Sequence, residues 1–224
     1  MFCRLLLNKR YPCLSREEVL AIARAHKCDV REDREVSLLE CNNCDVLRRA
    51  AFAKPEMGRD KPSRLPERST VTMDWLTARL LANLALARPG ARLLEPFVGS
   101  GAIAAEAERY GAYVVGVDID LAMLKKAARN TSSDLVQADS RMLPFRRAFD
   151  AAVGDAPYGR MSLVEGDVEE LVREVVEELS SAASRVVLAI PIYFDIPYLY
   201  SCIMYVHGGL YRAIIVFQSG GGPS

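Results

Sequence analysis

The chain has 224 residues, 29 Lys+Arg against 29 Asp+Glu, 50% hydrophobic residues and 6 cysteines. That length suits one large domain, or a domain of roughly 150 residues with a small appendage, and a core of that size holds without disulfide staples. The apolar content excludes disorder and fibrous repeats. No apolar run approaches the ~18 residues that a membrane-spanning helix needs. Met1–Arg10 has a short apolar patch and no small-residue cleavage site, so no signal peptide is expected and the expected location is cytoplasmic. Zero net charge hides an asymmetry: residues 1–70 carry 15 Lys+Arg and 11 Asp+Glu, and the remainder 14 and 18. A basic front end on an acidic body points weakly to a polyanionic partner, and equally to a solvated surface of uneven charge.

In chain order, residues 1–54 read as a small βαβα unit. Phe2–Leu7 is an apolar run of strand length, and Ser15-Arg-Glu-Glu18 spells a capping box that opens a helix reaching about Lys27. Glu35–Cys41 reads as a second strand and Asp45–Lys54 as a second, basic helix. Residues 55–70 hold Pro55, Gly58, Pro62 and Pro66 among basic residues and read as a linker. From 71 to 224 strands alternate with helices, the signature of an α/β fold with a doubly wound, mostly parallel sheet. A helix over 72–87 ends at Pro89-Gly90. Seven strands are predicted at about 92–95, 113–118, 134–138, 149–154, 185–190, 202–207 and 211–218, with helices near 101–109, 120–129 and 165–183. His207-Gly-Gly-Leu210 leaves no room for a crossover, so the last two strands should form an antiparallel hairpin.

The residues that carry chemistry stand at strand ends. Leu93-Leu-Glu-Pro-Phe-Val-Gly-Ser-Gly101 runs from the first of these strands into a helix, with glycines that let a ligand approach the backbone and free helix N–H groups beyond them. Gly99-Ser-Gly-Ala-Ile-Ala104 also satisfies the dinucleotide pattern, which alone is a weak signal. Glu95 decides between ligands: a carboxylate there suits poorly a pyrophosphate and well a ligand bearing an ammonium and a sulfonium, which is S-adenosylmethionine. Asp118 ends the next strand and can accept from ribose hydroxyls, while its neighbour Asp120 reads as the cap of the following helix. Asp139 ends the third strand and is placed for the adenine amine, although a strand-end acid often only caps. The fourth strand ends in Asp155-Ala-Pro-Tyr158. An exocyclic base amine is a weak nucleophile, and the Asp155 carboxylate with the Ala156 carbonyl can accept its hydrogens and steer its nitrogen. Pro157 would hold the backbone, and Tyr158 would stack on a flipped-out base.

These motifs, with Gly116-Val-Asp-Ile-Asp120 and Ala138-Asp-Ser140, resemble those of the class I amino-methyltransferases. The nearer likeness is to the archaeal and eukaryotic tRNA guanine N2-methyltransferases that act at position 10. Arg64-Leu-Pro and Met73–Leu84 are similar to that family's lead-in segment, and Val206–Ile214 to its closing hairpin, which usually carries His, Leu and Arg. Met1–Lys54 resembles its ferredoxin-like N-terminal unit in the pattern of elements. The resemblance implies S-adenosylmethionine as cofactor, held by Glu95, Phe97, Gly99, Ser100, Gly101, Asp118, Ile119, Asp139 and Ser140. It implies Asp155, Ala156, Pro157 and Tyr158 as the catalytic set, with RNA as substrate and no metal. Two departures stand out. Ala156 replaces the first proline of the family's Asp-Pro-Pro-Tyr, which loosens the backbone on sequence grounds. No THUMP domain fits between Lys54 and Val71, which implies either a separate RNA-gripping subunit or a different substrate.

Five cysteines lie in the first 44 residues, and Cys41-Asn-Asn-Cys44 has zinc-knuckle spacing without a second close pair, so buried thiols or a disulfide are the favoured reading. His26 is expected on a helix surface. Arg48, Arg49, Lys54, Arg59, Lys61, Arg64 and Arg68 form either a phosphate-tracking stripe or a solvated basic face. Besides guanine N2 methylation, two readings stand: an amino-methyltransferase for another base, and a non-catalytic subunit of the same fold serving as a platform for a partner. A nicotinamide-dependent oxidoreductase is a distant fourth, disfavoured by Glu95.

Overall fold

In the computed structural model, residues 1–33, 35–68, 72–157, 168–191, 200–207 and 210–219 are described. The N-terminal unit has strand β1 (Phe2–Leu6), helix α1 (Pro12–His26), β2 (Asp29–Asp33), β3 (Val36–Glu40), a 3-10 helix (Cys44–Arg49) and the short β4 (Lys54–Pro55). Its sheet runs β2-β3-β1-β4, antiparallel throughout, with α1 crossing from β1 to β2. That is the ferredoxin-like strand order, with a 3-10 helix in place of the second α-helix.

Three local readings change here. Helix α1 starts at Pro12, whose ring presets the first helical φ. Ser15 is therefore inside it, its Oγ accepting from the Asn8 N–H. Glu18 is not half of a capping box. It is fully buried and accepts from the N–H groups of Ala51 (2.6 Å), Phe52 (2.8 Å) and Ala53 (2.9 Å) and from Asn83 Nδ2 (2.8 Å). Those three N–H groups are the ones a helix over 45–54 would have used, so the segment stops as a 3-10 helix at Arg49. The strand Asp29–Asp33, absent from the predicted βαβα order, lies at the sheet edge with a register shift between Val30 and Glu32.

The larger body holds α2 (Trp75–Leu84), β5 (Arg92–Glu95), α3 (Ala102–Arg109), β6 (Tyr113–Asp118), α4 (Leu121–Asn130), β7 (Asp134–Gln137), β8 (Ala151–Asp155), α5 (Val168–Ala182), β9 (Arg185–Ile190), β10 (Tyr200–His207) and β11 (Leu210–Gln218). Its seven strands run β10-β11-β9-β8-β5-β6-β7. The five strands β9, β8, β5, β6 and β7 are parallel, and β11 joins β9 and β10 antiparallel, as the short connection demanded. The turn residues 208 and 209 lie outside the described residues. Every residue of β9 is buried, as expected of a strand covered on both faces. The chain winds outward through β5, β6 and β7, then returns to place β8 on the other side of β5. The switch point, where open sheets of this kind bind ligands beyond the carboxyl ends of their strands, therefore lies between Glu95 and Asp155.

The two units share a core. Leu14, Ala21 and Ala51 pack in one cluster with α2, β5 and β6 residues such as Leu80, Leu93 and Val114. Helix α2, N-capped by Asp74 Oδ1 accepting from Leu76 and Thr77 N–H, is buried from Thr77 to Leu84 between the N-terminal unit and α3. The segment read as a linker is pinned: Arg79 Nη1 and Nη2 donate to the carbonyls of Asp60 and Lys61, Ser63 N–H donates to Glu106, and Glu67 N–H to Asn130.

Candidate active site

The turn from β5 into α3 is stitched to β6. Val98 N–H donates to Val117 O at 2.9 Å, and Gly99 N–H to Asp118 Oδ2 at 2.8 Å. Gly101 takes φ +80°, where a side chain is strained, and a Cβ there would lie 2.7 Å from Thr131 Cγ2. Gly99, at φ +51°, has nothing within 4 Å of a built Cβ, so the ledge faces open space where a ligand can rest on the backbone. Ser100 is buried, its Oγ 3.0 Å from Thr72 Oγ1 and its carbonyl bonded by Asn130 Nδ2. Ser140 Oγ donates to the Pro96 carbonyl, so both serines hold the ledge in shape. Phe97 packs half-buried on the core beneath, and Ile119 is 53% exposed beside Asp118, an apolar surface for a flat ring.

Three carboxylates meet at this edge. Glu95 is 1% exposed, and its Oε2 is buried without a hydrogen-bond partner among the described residues. Burial pushes its pKa well above the usual carboxylate range, and the charges of Asp118, Glu108 and Asp155 push it further. Asp118 caps the ledge through Gly99 and accepts from Asp120 N–H at 2.9 Å; burial raises its pKa as well. Asp120 does cap α4, through Ala122 N–H. Such a cluster is costly in the empty protein and becomes favourable once a cation enters. A ligand bearing positive charge would supply that cation, and the buried Glu95 Oε2 is free among the described residues to accept from a cationic donor.

Asp155 ends β8. Its Oδ2 lies 3.0 Å from Arg212 Nη2 on β11, while Oδ1 is buried without a partner among the described residues. Burial raises its pKa to about 7, with Arg212 pulling the other way. In the sequence Arg212 stands within the closing hairpin with no chemical partner beside it. A lone arginine heading the apolar run Ala213–Val216 was the signal, and the pairing across strands was needed to read it. Ala156 is 1% exposed, and its N–H donates to the Ala189 carbonyl at 2.9 Å. A proline there has no N–H to give. The backbone that the substitution seemed to loosen is held by a ladder bond instead of by a ring. Pro157 follows half-buried; Tyr158 lies outside the described residues.

Asp139 differs from the other acids. Arg141 grips it, Nη2 to Oδ2 at 2.6 Å and Nε to both oxygens at 3.0 Å, and this pairing lowers its pKa. The basic stripe is shorter than its sequence: Arg49 is buried, Arg48 pairs with Asp60, and Arg59 donates to the Ala50 and Ala53 carbonyls. Lys54, Lys61, Arg64 and Arg68 stay exposed. His26 is half-buried, with Nε2 2.9 Å from Arg49 Nη1, and burial lowers its pKa to about 4. Cys41 and Cys44 face different partners across the small sheet: the disulfides are Cys3–Cys44, Cys28–Cys41 and Cys13–Cys202. No group of three or more His, Cys, Asp or Glu is placed to hold a metal among the described residues. No helix among them is long and apolar enough to cross a membrane.

Residues 72–200, more than half of the chain, match the model of the RMKL-like methyltransferase domain, UPF0020. The chain belongs to that family. Its fold is that of class I methyltransferases. Among curated relatives, it is 31% identical over 159 residues to a tRNA (guanine(10)-N2)-dimethyltransferase of Methanothermobacter thermautotrophicus, covering 66% of this chain and 47% of that protein. A protein of the same name from Methanocaldococcus jannaschii is 28% identical over 159 residues, covering 63% and 44%. The match thus spans about half the length of these relatives. TrmN from Thermus thermophilus superposes with a TM-score of 0.57 at 21% identity, over 96% of this chain and 81% of that one. The magnesium protoporphyrin IX methyltransferase of Synechocystis, solved with bound S-adenosylmethionine, gives 0.52 at 15% identity over 70% and 88%.

Proposed function

We propose that this family member transfers the methyl group of S-adenosylmethionine to the exocyclic N2 amine of guanine in tRNA. Asp155 carries the reading: a carboxylate at the switch point with one oxygen anchored and the other buried and unpartnered. The names of the relatives supply the base and the RNA. Glu95, Gly99, Gly101, Asp118 and the neighbouring Phe97, Ser100, Ile119, Asp139 and Ser140 hold the cofactor, which supplies an electrophilic methyl on a positive sulfur. Asp155 Oδ1 and the Ala156 carbonyl accept the two amine hydrogens, which turns the nitrogen lone pair away from the ring and toward the methyl. As the nitrogen gave that pair to the new C–N bond, the methyl–sulfur bond would break and its electron pair return to sulfur, leaving a neutral thioether; the nitrogen would then carry the positive charge, which the carboxylate stabilises before taking the surplus proton on its way to solvent. Tyr158 follows directly in the chain and supplies the stacking face.

Residues 71–224 form the catalytic domain in this reading, with 1–54 as an appended unit and 55–70 as the strap between them. RNA lies over the carboxyl edge, exposed Lys54, Lys61, Arg64 and Arg68 are available to its phosphates, and a separate RNA-gripping subunit of the THUMP kind completes the hold. The location is cytoplasmic. Three disulfides in such a protein match the intracellular proteins of hyperthermophiles, and the scarcity of Asn and Gln agrees.

The test is methyl transfer from labelled S-adenosylmethionine to an unmodified tRNA transcript, followed by nucleoside mass spectrometry. N2-methylguanosine is expected. Asp155→Ala should lower kcat by about 10²–10³-fold while cofactor affinity measured by calorimetry stays within about threefold. N6-methyladenosine as the product would move the substrate to adenine. Cofactor binding with no transfer to any RNA, with or without a partner, would leave the platform reading.

A further inference from the structure

Arg212 has an arrangement that hairpin packing alone does not explain. Strand β9 lies between β8 and β11, with Asp155 in register with Ala189, and Ala189 with Ile214. Arg212 stands two residues further along β11, past Ala213, which pairs with Ile190 at the end of β9. Its side chain reaches over that end to the carboxylate of Asp155, at 3.0 Å, with 8% of the arginine side chain and 21% of the aspartate exposed. A guanidinium heading the apolar run Ala213–Val216 carries a desolvation cost that a leucine would not. It also stands on the hairpin opposite the motif's own acid, and its pair with that acid is made through Oδ2, while Oδ1 is buried without a partner among the described residues.

We propose that Arg212 is a positioning residue: by clamping Oδ2 it keeps the Asp155 carboxylate ionised and turned so that Oδ1 meets the substrate amine. The inference rests on the function proposed above. The charged groups that act on this site are few among the described residues. Arg212 comes from β11 and favours the ionised form; Glu95, from β5, lies close enough to interact with Asp155 and opposes it, as burial does. Without the arginine, both remaining influences favour the protonated acid. A protonated Asp155 has lost its capacity to take the proton that the amine must give up as its nitrogen forms the C–N bond.

Two readouts test this on the full chain. The first is the pH dependence of kcat/KM for methyl transfer to the unmodified tRNA transcript, which follows the free enzyme's ionisations. In the wild type the acid limb should fall near 7, where Asp155 titrates. Arg212→Gln should move that limb up by a unit or more and cut the rate at pH 7 at least tenfold, with recovery toward pH 9. Arg212→Lys keeps the charge without the planar fork, so the limb should return close to its wild-type position while kcat stays reduced. S-adenosylmethionine affinity should change by less than threefold in both. The second readout needs no turnover: a carbon-13 NMR titration of the aspartate carboxyls, with the Asp155 signal assigned through Asp155→Asn. Its midpoint should rise in Arg212→Gln and not in Arg212→Lys.

A folded Arg212→Gln with an unmoved midpoint and an unmoved acid limb would overturn the proposal and leave the arginine as a hairpin anchor. Should Arg212→Gln fail to fold, Arg212→Lys decides, since wild-type kcat in that variant would exclude a positioning role. Absence of transfer to RNA by the wild type would count against the proposed function alone, because the NMR titration still reports on the clamp.

Discussion

The molecule buries two polar clusters, and they are opposites in their charge balance. At the joint between the N-terminal unit and the larger body, Glu18 and Glu106 face Arg49 and Arg79, two anions against two cations. Glu18 accepts four hydrogen bonds, and Arg79 pairs with Glu106 at 2.7 Å while donating to two carbonyls. Arg49 donates to Asn83 at 2.7 Å and stacks 4.1 Å from the Tyr110 ring centroid. At the carboxyl edge of the sheet, Glu95, Asp118 and Asp155 face Arg212, and oxygens of two of them lack a partner. Both clusters leave buried atoms unpartnered among the described residues, Arg49 Nη2 and Tyr110 Oη at the joint and Glu95 Oε2 and Asp155 Oδ1 at the edge. What separates them is charge: balanced charges hold each other, whereas an excess of buried carboxylate is a cost that a cationic ligand can relieve. The first cluster is a joint, and the second is where we propose that the cofactor binds. The difference lies in the charge sum rather than in depth, since Glu18 and Glu95 are 0% and 1% exposed.

The largest way to break the comparison is at the joint. Glu18→Ala orphans the N–H groups of Ala51, Phe52 and Ala53 and leaves Arg49 without its nearby anion. Removing one member of a buried paired network costs about 3–5 kcal/mol. Urea unfolding should show a loss of that size, while the folded variant keeps its S-adenosylmethionine affinity within about threefold. A stability loss under about 1 kcal/mol would mean that water replaces the carboxylate there and that the joint is not closed.

The same contrast explains what the sequence disclosed. Strand-end acids were legible because each ends an apolar run just before a turn: Asp118 after Val114–Val117, and Asp155 after Ala151–Gly154. Their chemistry is local to one strand each, and the edge to which they belong follows from sheet topology. Partners brought from distant segments were not legible. The Ser15–Glu18 box looked like a cap because local rules see three residues ahead, whereas Glu18 in fact serves residues 51–53 and thereby ends the helix expected after Asp45. Strand Asp29–Asp33 escaped because it is an edge strand, and edge strands carry charge and bulges that erase apolar alternation. Arg212 lay within a quoted motif, yet its role exists only once β11 is seated beside β9.

A smaller effect is expected at Glu95, in opposite directions for stability and binding. Its native pKa is raised well above that of an unfolded glutamate, near 4.3, so over the interval between them the native state holds a proton that the unfolded state has lost. Stability therefore falls as pH rises through that interval. Glu95→Gln removes this slope. The variant should be more stable than the wild type by about 1 kcal/mol at pH 8, and the gain should vanish near pH 4. Its affinity for S-adenosylmethionine should fall about tenfold, because a neutral amide replaces the charged acceptor. Thermal melts across pH, with calorimetry beside them, check both signs. A variant that loses stability at pH 8 would place Glu95 with the joint's balanced charges.

The smallest expected effect concerns the acid that belongs clearly to neither cluster. Asp139 ends a strand as Asp118 and Asp155 do, yet Arg141 already occupies both its oxygens. The pair is partly exposed, 43% and 29% at the two side chains, and such pairs contribute about 0–1 kcal/mol. An adenine amine arriving at Asp139 must displace part of that grip, so the arginine competes weakly with the cofactor. Arg141→Ala should then tighten S-adenosylmethionine binding by about two- to fivefold, and Asp139→Ala should weaken it by a similar factor. If the arginine instead closes over the bound adenine, Arg141→Ala weakens binding as Asp139→Ala does, and the double variant loses no more than either alone. The sign of one modest shift thus decides whether this pair is a competitor to the cofactor or a part of its site.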